Sequence, residues 1–184
     1  FHTHCTSSAS LASALAMANA GCEIVDTAIS SMADCMYFFL SFSLSLSVSL
    51  SHTHIHTSTN CTGTSQPSMN ALLASLEGGP RDPKINHLTL SPIVKYWANV
   101  RELYEPFESG MRCGNAKVFE HQIPGGQYSN LMVQCKAMGL WDRWDEVVDM
   151  YRDVNRLFGD IIKVTPSSKV VGDMSLYLIN VGLS

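Results

Sequence analysis

The sequence predicts an α/β protein that begins with a strand, a helix and a second strand and continues mostly as helices. Within the first 33 residues, a short segment with alternating histidines, an alanine-rich stretch and an apolar segment follow one another. This order is typical of the repeating unit of a parallel sheet or barrel. Beyond residue 68, apolar residues recur at helical spacing in several separate segments, which favours helices there.

Residues 1–33 contain the predicted strand–helix–strand unit. Leu11, Leu15 and Met17 lie among alanines, which have the highest helix propensity, and Gly21 is well placed to end that helix. The segment CEIVDTAI after it is a short apolar run typical of a buried strand. FHTH, which precedes the helix, is predicted as the first strand.

Residues 34–61 form a low-complexity run that separates the two parts. Apolar residues alternate with serine over residues 36–51, and His52, His54 and His56 continue the two-residue period. The apolar part is too short and too rich in serine for a membrane span, which needs about 20 mostly apolar residues. Because the three imidazoles lack a carboxylate and an anchoring core, we interpret them as an adventitious metal binder at most. The run is expected to be a disordered insertion or an exposed edge strand.

Helical segments follow the insertion. SMNALLASL is amphipathic, and a loop rich in Gly and Pro comes after it. The next helix is predicted to start after Ser91, which places Pro92 in its first turn. Residues 124–126 are predicted as a tight turn before a helix that ends at Gly139. One further helix follows TPSS near the end of the chain.

Residues 144–158 have the strongest helical period between these segments, and their apolar residues are predicted to line one face. These residues are Trp144, Val147, Val148, Tyr151, Val154, Leu157 and Phe158.

Composition excludes several functions. The chain is 46% hydrophobic and 15% charged with a net charge of −4, so no basic surface favours nucleic acid. The six cysteines show no CxxC spacing, which argues against a zinc knuckle or a disulfide scaffold and favours reduced thiols. Neither nucleic acid nor a membrane is expected as a partner. The chain opens on Phe1 rather than Met, and we interpret it as a piece of a longer protein.

Four segments resemble one family. They are HTHCTSSASLASALAMANAGCEIVDTAISSM, TSQPSM, EHQIPGGQYSNL and GDIIKVTPSSKVVGDM. Together they are similar to the biotin-dependent carboxyltransferases, and in particular to the carboxyltransferase region of the pyruvate carboxylase family. The resemblance implies the last strands of a partial (β/α)8 (TIM) barrel, followed by the start of an α-helical carboxyltransferase tail domain.

This resemblance also divides the chain. Residues 1–33 would be a βαβ segment of the barrel, residues 62–90 the end of the barrel and a linker, and residues 91–184 the helical part. In the family, the segments on either side of residues 34–61 are continuous. We therefore interpret these 28 residues as an insertion of translated repeat sequence, such as a retained intron.

The family's function is carboxyl transfer from carboxybiotin to pyruvate, which forms oxaloacetate. The resemblance implies that biotin and the ATP-dependent biotin carboxylase belong to segments absent here, and that the parent is a homo-oligomer, a tetramer in the family. Relatives occur in mitochondria and in the cytoplasm, so the compartment stays open. Two alternatives remain: a related oxaloacetate decarboxylase or transcarboxylase subunit, and a catalytically inactive fragment.

His2 and His4 are the candidate metal ligands. Residues i and i+2 of a strand face the same side, so both imidazoles can turn towards one ion. The resemblance implies that they bind a divalent metal, Zn or Mn, whose other ligands lie upstream and are missing here. Cys5 stands where the family has Asp, which removes a group that could orient the ligands.

Thr165 is the candidate catalytic residue. A hydroxyl can both donate and accept a proton, and the resemblance implies that Thr165 relays one between pyruvate and biotin. Thr165 could instead be a helix N-cap, and this role is compatible with the relay because a capped turn positions a hydroxyl rigidly. By the same resemblance, Ser168 lines the biotin pocket. Gln127 and Asn130 either contribute hydrogen bonds to the site or fix their own loop.

Overall fold

The computed structural model divides the chain into two units, Phe1–Asn115 and Ala116–Ser184. The structure describes residues 1–33, 46–49, 64–104, 106, 111 and 114–183. In these residues we find no helix with the length and hydropathy needed to cross a bilayer.

The first unit opens with an extended segment, a helix and a strand, and the segment FHTH that was predicted as a strand does not form an assigned strand. Helix α1 spans Ser10–Asn19 and strand β1 spans Ile24–Thr27. The extended segment before α1 runs parallel to β1, because the Phe1 ammonium donates to the Ile24 carbonyl at 2.5 Å and the Asp26 N–H donates to the Phe1 carbonyl at 2.9 Å. The predicted helix end is confirmed, since Gly21 has a φ of 101° directly after α1.

Strand β2, Leu46–Ser49, belongs to the low-complexity run and pairs with β1. The pairing is antiparallel, with Val25 opposite Val48. The remaining predictions for residues 34–61, including those for His52, His54 and His56, lie outside the described residues.

Two helices complete the described part of the first unit. Helix α2, Met69–Leu76, is confirmed, and its N-cap Ser68 accepts a hydrogen bond from the Ala71 N–H. Helix α3 spans His87–Tyr104, so the predicted start after Ser91 is wrong and Pro92 lies inside the helix.

The cause of this earlier start is Asn86. Its side-chain oxygen accepts from the Leu88 N–H at 2.8 Å and its carbonyl accepts from the Thr89 N–H at 3.1 Å. These bonds satisfy N–H groups that the first turn of a helix leaves without partners, so the asparagine sets where α3 begins.

A hydrophobic core forms between α1, β1 and α2. Residues before and after the insertion contribute to this core, and most of its large side chains are leucines. Burying one such side chain contributes about 1.5–3 kcal/mol. The core consists of Cys5, Leu11, Ala14, Leu15, Ala18, Val25, Ile29, Met69, Leu72, Leu73, Leu76 and Leu90.

The second unit is helical. Its helices are α4 (Val118–His121), α5 (Gly125–Ala137), α6 (Trp144–Leu157) and α7 (Ser167–Asn180), and α7 packs against both α5 and α6. The predicted tight turn at residues 124–126 is wrong in part. Pro124 is extended with a ψ of 143° and precedes the helix, whereas Gly125 and Gly126 are already helical.

Helix α6 confirms most of its predicted apolar face. Val147, Val148, Tyr151 and Val154 are buried. Leu157 is 72% exposed, so its predicted place on the face is wrong. Phe158 is also exposed, because the helix ends at Leu157 and the chain turns away at Gly159, whose φ is 83°.

Candidate functional site

The two predicted metal ligands lie side by side at the start of the chain. The Nε2 atoms of His2 and His4 are 3.3 Å apart, and their rings meet edge to face at a centroid distance of 5.1 Å. His4 has an extended backbone, with φ −108° and ψ 151°. The strand-like spacing therefore brings both side chains to one side, as predicted.

The Nδ1 atom of each imidazole makes a hydrogen bond that orients the ring. Asp26 Oδ2 lies 2.9 Å from His2 Nδ1, and the Thr64 carbonyl oxygen accepts a hydrogen bond from His4 Nδ1. Because a carboxylate and a carbonyl can only accept, both Nδ1 atoms donate. In the neutral rings, both Nε2 atoms then present lone pairs that converge on the same point.

This pair fits a metal ion. Two nitrogens bound at about 2.1 Å in a tetrahedral arrangement are about 3.4 Å apart, close to the 3.3 Å between the two Nε2 atoms. The pair alone is incomplete, since no group of three or more His, Cys, Asp or Glu side chains that could hold a metal occurs in the part of the chain that the structure describes.

Burial favours the neutral form of His4. Removal of the ring from water lowers the pKa of His4 below its ordinary value, and the charge of His2 lowers it further. The hydrogen bond to Thr64 offsets part of this effect. A neutral imidazole is the form that binds metals.

Cys5 does not take part in this arrangement. Its side chain is fully buried in the hydrophobic core of the first unit, and its N–H donates to the Ser65 carbonyl at 2.8 Å. A different carboxylate, that of Asp26, contacts His2 at 2.9 Å, and sequence reasoning missed it. An Asp at the end of a strand parallel to the His segment was the signal that could have identified it.

Thr165 lies in the second unit, just before α7. It is exposed, and the peptide bond that joins it to Pro166 is cis. The N-cap of α7 is Pro166, so the alternative role of Thr165 as the helix cap is wrong.

Ser167 organises the turn that presents Thr165. Its Oγ accepts from the Val164 N–H at 3.1 Å and donates to the Ile162 carbonyl at 2.6 Å. These two bonds close the loop on both sides of Thr165. Thr165 itself belongs to the exposed residues of this loop.

Ser168 and Gln127 are buried on the neighbouring helices. Ser168 is 4% exposed, and its carbonyl accepts from the buried Tyr151 hydroxyl at 3.3 Å. Gln127 packs on α7, where its Nε2 atom is buried and has no hydrogen-bond partner among the described residues. For Gln127, this favours helix packing over a place in the site.

Gly172 of α7 gives a test of that packing. A Cβ at Gly172 would lie 2.4 Å from Gln127 Nε2 and 3.2 Å from Leu131 Cδ1. We expect Gly172→Ala to lower the free energy of unfolding by about 1 kcal/mol, since overpacking costs about 1–3 kcal/mol and the helix propensity of Ala returns about 1 kcal/mol. With Gln127→Ala present, the same change should stabilise the protein. Urea denaturation of the four variants measures this, and equal effects in both backgrounds would contradict it.

Comparisons with known proteins show what this chain is similar to. Residues 118–184 match the conserved carboxylase domain. Over its whole length the chain is 42% identical to pyruvate carboxylase of Bacillus subtilis, of which it spans 14%. It is also 39% identical to the mitochondrial pyruvate carboxylase of Mus musculus, of which it spans 13%.

Solved structures agree with these sequences. The carboxyl transferase domain of Rhizobium etli pyruvate carboxylase matches all of this chain with a TM-score of 0.79 and 36% identity, and the match covers 26% of that domain. The same domain has been solved with pyruvate and biocytin, again with a TM-score of 0.79.

The second unit therefore has the conserved carboxylase domain. As a whole, the chain is similar to part of the carboxyltransferase region of pyruvate carboxylases. It spans about one seventh of the curated relatives it matches, at 14% and 13% of their lengths.

Proposed function

We propose that this chain contributes to the carboxyltransferase step of a biotin-dependent carboxylase, which moves CO₂ from carboxybiotin to pyruvate and forms oxaloacetate. The observation that carries this proposal is the similarity of the whole chain to a carboxyl transferase domain solved with pyruvate and biocytin. The parallel arrangement of the first segment and β1 supports the finer proposal that residues 1–33 are part of a (β/α)8 barrel.

Thr165 relays a proton in this reaction. The bond between biotin N1 and the carboxyl carbon breaks, and a new bond joins that carbon to the pyruvate methyl group. The methyl group loses one proton and N1 gains one, so a hydroxyl between them can accept the first and donate the second without becoming charged. The loop closed by Ser167 keeps this hydroxyl in place, and buried Ser168 lines the biotin pocket from α7.

His2 and His4 bind a divalent metal, Zn or Mn, through their converging Nε2 atoms. When bound, this ion polarises the pyruvate carbonyl and stabilises the negative charge that develops during proton loss. The remaining ligands come from outside this chain. The imidazole pair belongs to the first unit and Thr165 to the second.

Several components belong to the complete protein. Biotin is attached to a carrier segment, and ATP is used by a biotin carboxylase domain. Both are proposed because of the similarity to whole pyruvate carboxylases, of which this chain spans 14% or less. A homo-tetrameric assembly is proposed on the same ground. The mouse relative is mitochondrial, and this compartment is one of two candidates.

A chimera tests the function. Residues 1–184 replace the matching segment of Bacillus subtilis pyruvate carboxylase, which is 42% identical. A second chimera joins residues 1–33 directly to residues 62–184. We expect oxaloacetate formation that avidin inhibits in the second chimera, and less in the first because residues 34–61 interrupt the segment.

Two results would overturn the proposal. One is a second chimera that folds and carboxylates its biotin but transfers no CO₂ to pyruvate. This would favour the inactive alternative. The other is oxaloacetate decarboxylation without a detectable forward reaction, which would favour a decarboxylase or transcarboxylase.

A further inference from the structure

Asp26 contacts the imidazole of His2. This contact determines which ring nitrogen of His2 carries the proton. In water, a neutral histidine favours the tautomer with its proton on Nε2. His2 in that tautomer would place an N–H at the point where its lone pair now meets that of His4. The carboxylate 2.9 Å from Nδ1 requires the opposite tautomer, because it can only accept.

We propose that Asp26 is the positioning residue that fixes His2 in the Nδ1–H tautomer and aims its Nε2 lone pair at the point shared with His4. The role of Asp26 at a metal rests on the proposed function, because His2 and His4 are the metal ligands of that proposal. His4 needs no such side chain, since the backbone carbonyl of Thr64 holds its Nδ1 proton.

The geometry favours this role over that of an ordinary surface ion pair. The side chains of His2 and Asp26 are 53% and 30% exposed, and an exposed pair contributes about 1 kcal/mol or less to stability. Stability is therefore a weak reason for the contact. The convergence of two lone pairs 3.3 Å apart is costly without a proton or a cation between them, and Asp26 holds His2 in that arrangement.

Asp26 is distinct from position 5, where the family has Asp. Position 5 is a buried cysteine in this chain, whereas Asp26 lies on β1, alongside the extended His segment. A carboxylate that accepts from Nδ1 also raises the basicity of the metal-binding nitrogen. Its removal from metal sites typically weakens metal binding by about 10–100-fold.

Side-chain ¹H–¹⁵N spectra of the full chain without metal, above pH 8, give the direct test. In the unmodified chain, His2 and His4 should both show a protonated Nδ1 and a lone pair on Nε2. Asp26→Ala should convert His2 to the Nε2–H tautomer and leave His4 unchanged, which makes His4 an internal control. His2→Asn assigns the signals, and Asp26→Val repeats the test with a residue that favours strands.

Glu23→Ala is the matched control, because it removes an exposed carboxylate from the same segment three residues earlier. It should leave both tautomers unchanged. A His2 ring that keeps Nδ1–H in both Asp26 variants would overturn the inference, and so would an equal shift in the Glu23 variant.

Zinc titration against a chromophoric chelator separates this inference from the proposed function. We expect about 10–100-fold weaker zinc binding in Asp26→Ala and no change in Glu23→Ala. A tautomer change with unaltered zinc affinity would overturn the role of Asp26 at the metal. Absence of zinc binding in the unmodified chain would instead count against the metal site, while the tautomer spectra would still decide what Asp26 does to His2.

Discussion

Replacing Thr165 with Val in the chimera without residues 34–61 is expected to lower oxaloacetate formation by about 10²–10⁴-fold, the range that proton transfer by a positioned side chain supplies. Valine keeps the size and the branching of threonine but has no hydroxyl, so it can neither accept the methyl proton nor donate one to biotin N1. Thr165→Ser keeps the hydroxyl and should retain much of the activity. Steady-state kcat measures both changes.

The loss of activity in Thr165→Val should be confined to the carboxyl transfer step. Thr165 is exposed and is not the cap of α7, so its replacement should leave the free energy of unfolding within about 0.5 kcal/mol. ATP-dependent biotin carboxylation should also be unchanged. Thr89→Val is the matched control, since Thr89 is an exposed threonine in α3. Full activity in Thr165→Val would remove the proton relay from the proposal.

Elements with a clear hydrophobic period could be predicted from the sequence. The buried face of α6 repeats Val147, Val148, Tyr151 and Val154 at helical spacing, and local periodicity directly reflects burial. The start of α3 could not be predicted in this way. It depends on the side chain of Asn86, whereas Pro92 offered a stronger but misleading local signal.

In the candidate site, too, only the local features could be predicted from the sequence. His2 and His4 are two residues apart, so a strand-like segment alone predicts that their side chains share a side. The groups that orient them lie far away in the sequence: Asp26 is 24 residues from His2, and Thr64 is 60 residues from His4. Only the fold brings such distant groups together. Similarly, the hydroxyl that closes the loop around Thr165 belongs to Ser167, and spacing gave no reason to prefer it.

Buried His121 is expected to make the free energy of unfolding depend strongly on pH. The ring is 3% exposed, its Nδ1 accepts from the Ile123 N–H at 3.0 Å, and it stacks on Tyr128 with a centroid distance of 5.3 Å. Burial lowers the pKa of His121 from 6.5 to about 4, and Asp149 opposes this effect. Lys117 and Lys163 lower the pKa slightly further.

The direction of this pH dependence follows from the number of protons that the folded and unfolded states bind. Between pH 6.5 and about 4, the unfolded state binds a proton at His121 that the folded state does not, so the free energy of unfolding falls as the pH falls. The stabilisation is complete above pH 6.5 and is lost towards pH 4. From pH 7.5 to 4.5, we expect a loss of about 2–3 kcal/mol from this residue.

Urea denaturation in a Trp97→Phe background measures this loss, because the remaining tryptophans, Trp141 and Trp144, both lie in the second unit. His121→Asn keeps an acceptor near the Ile123 N–H but does not titrate, so its stability should change less between the two pH values. The stability difference between the two proteins should therefore shrink by about 2–3 kcal/mol at pH 4.5. His87→Asn, a change in the first unit, should leave this pH dependence as it is. A difference that stays constant from pH 7.5 to 4.5 would mean that His121 is already protonated in the folded protein, and the Ile123 N–H would then need another acceptor.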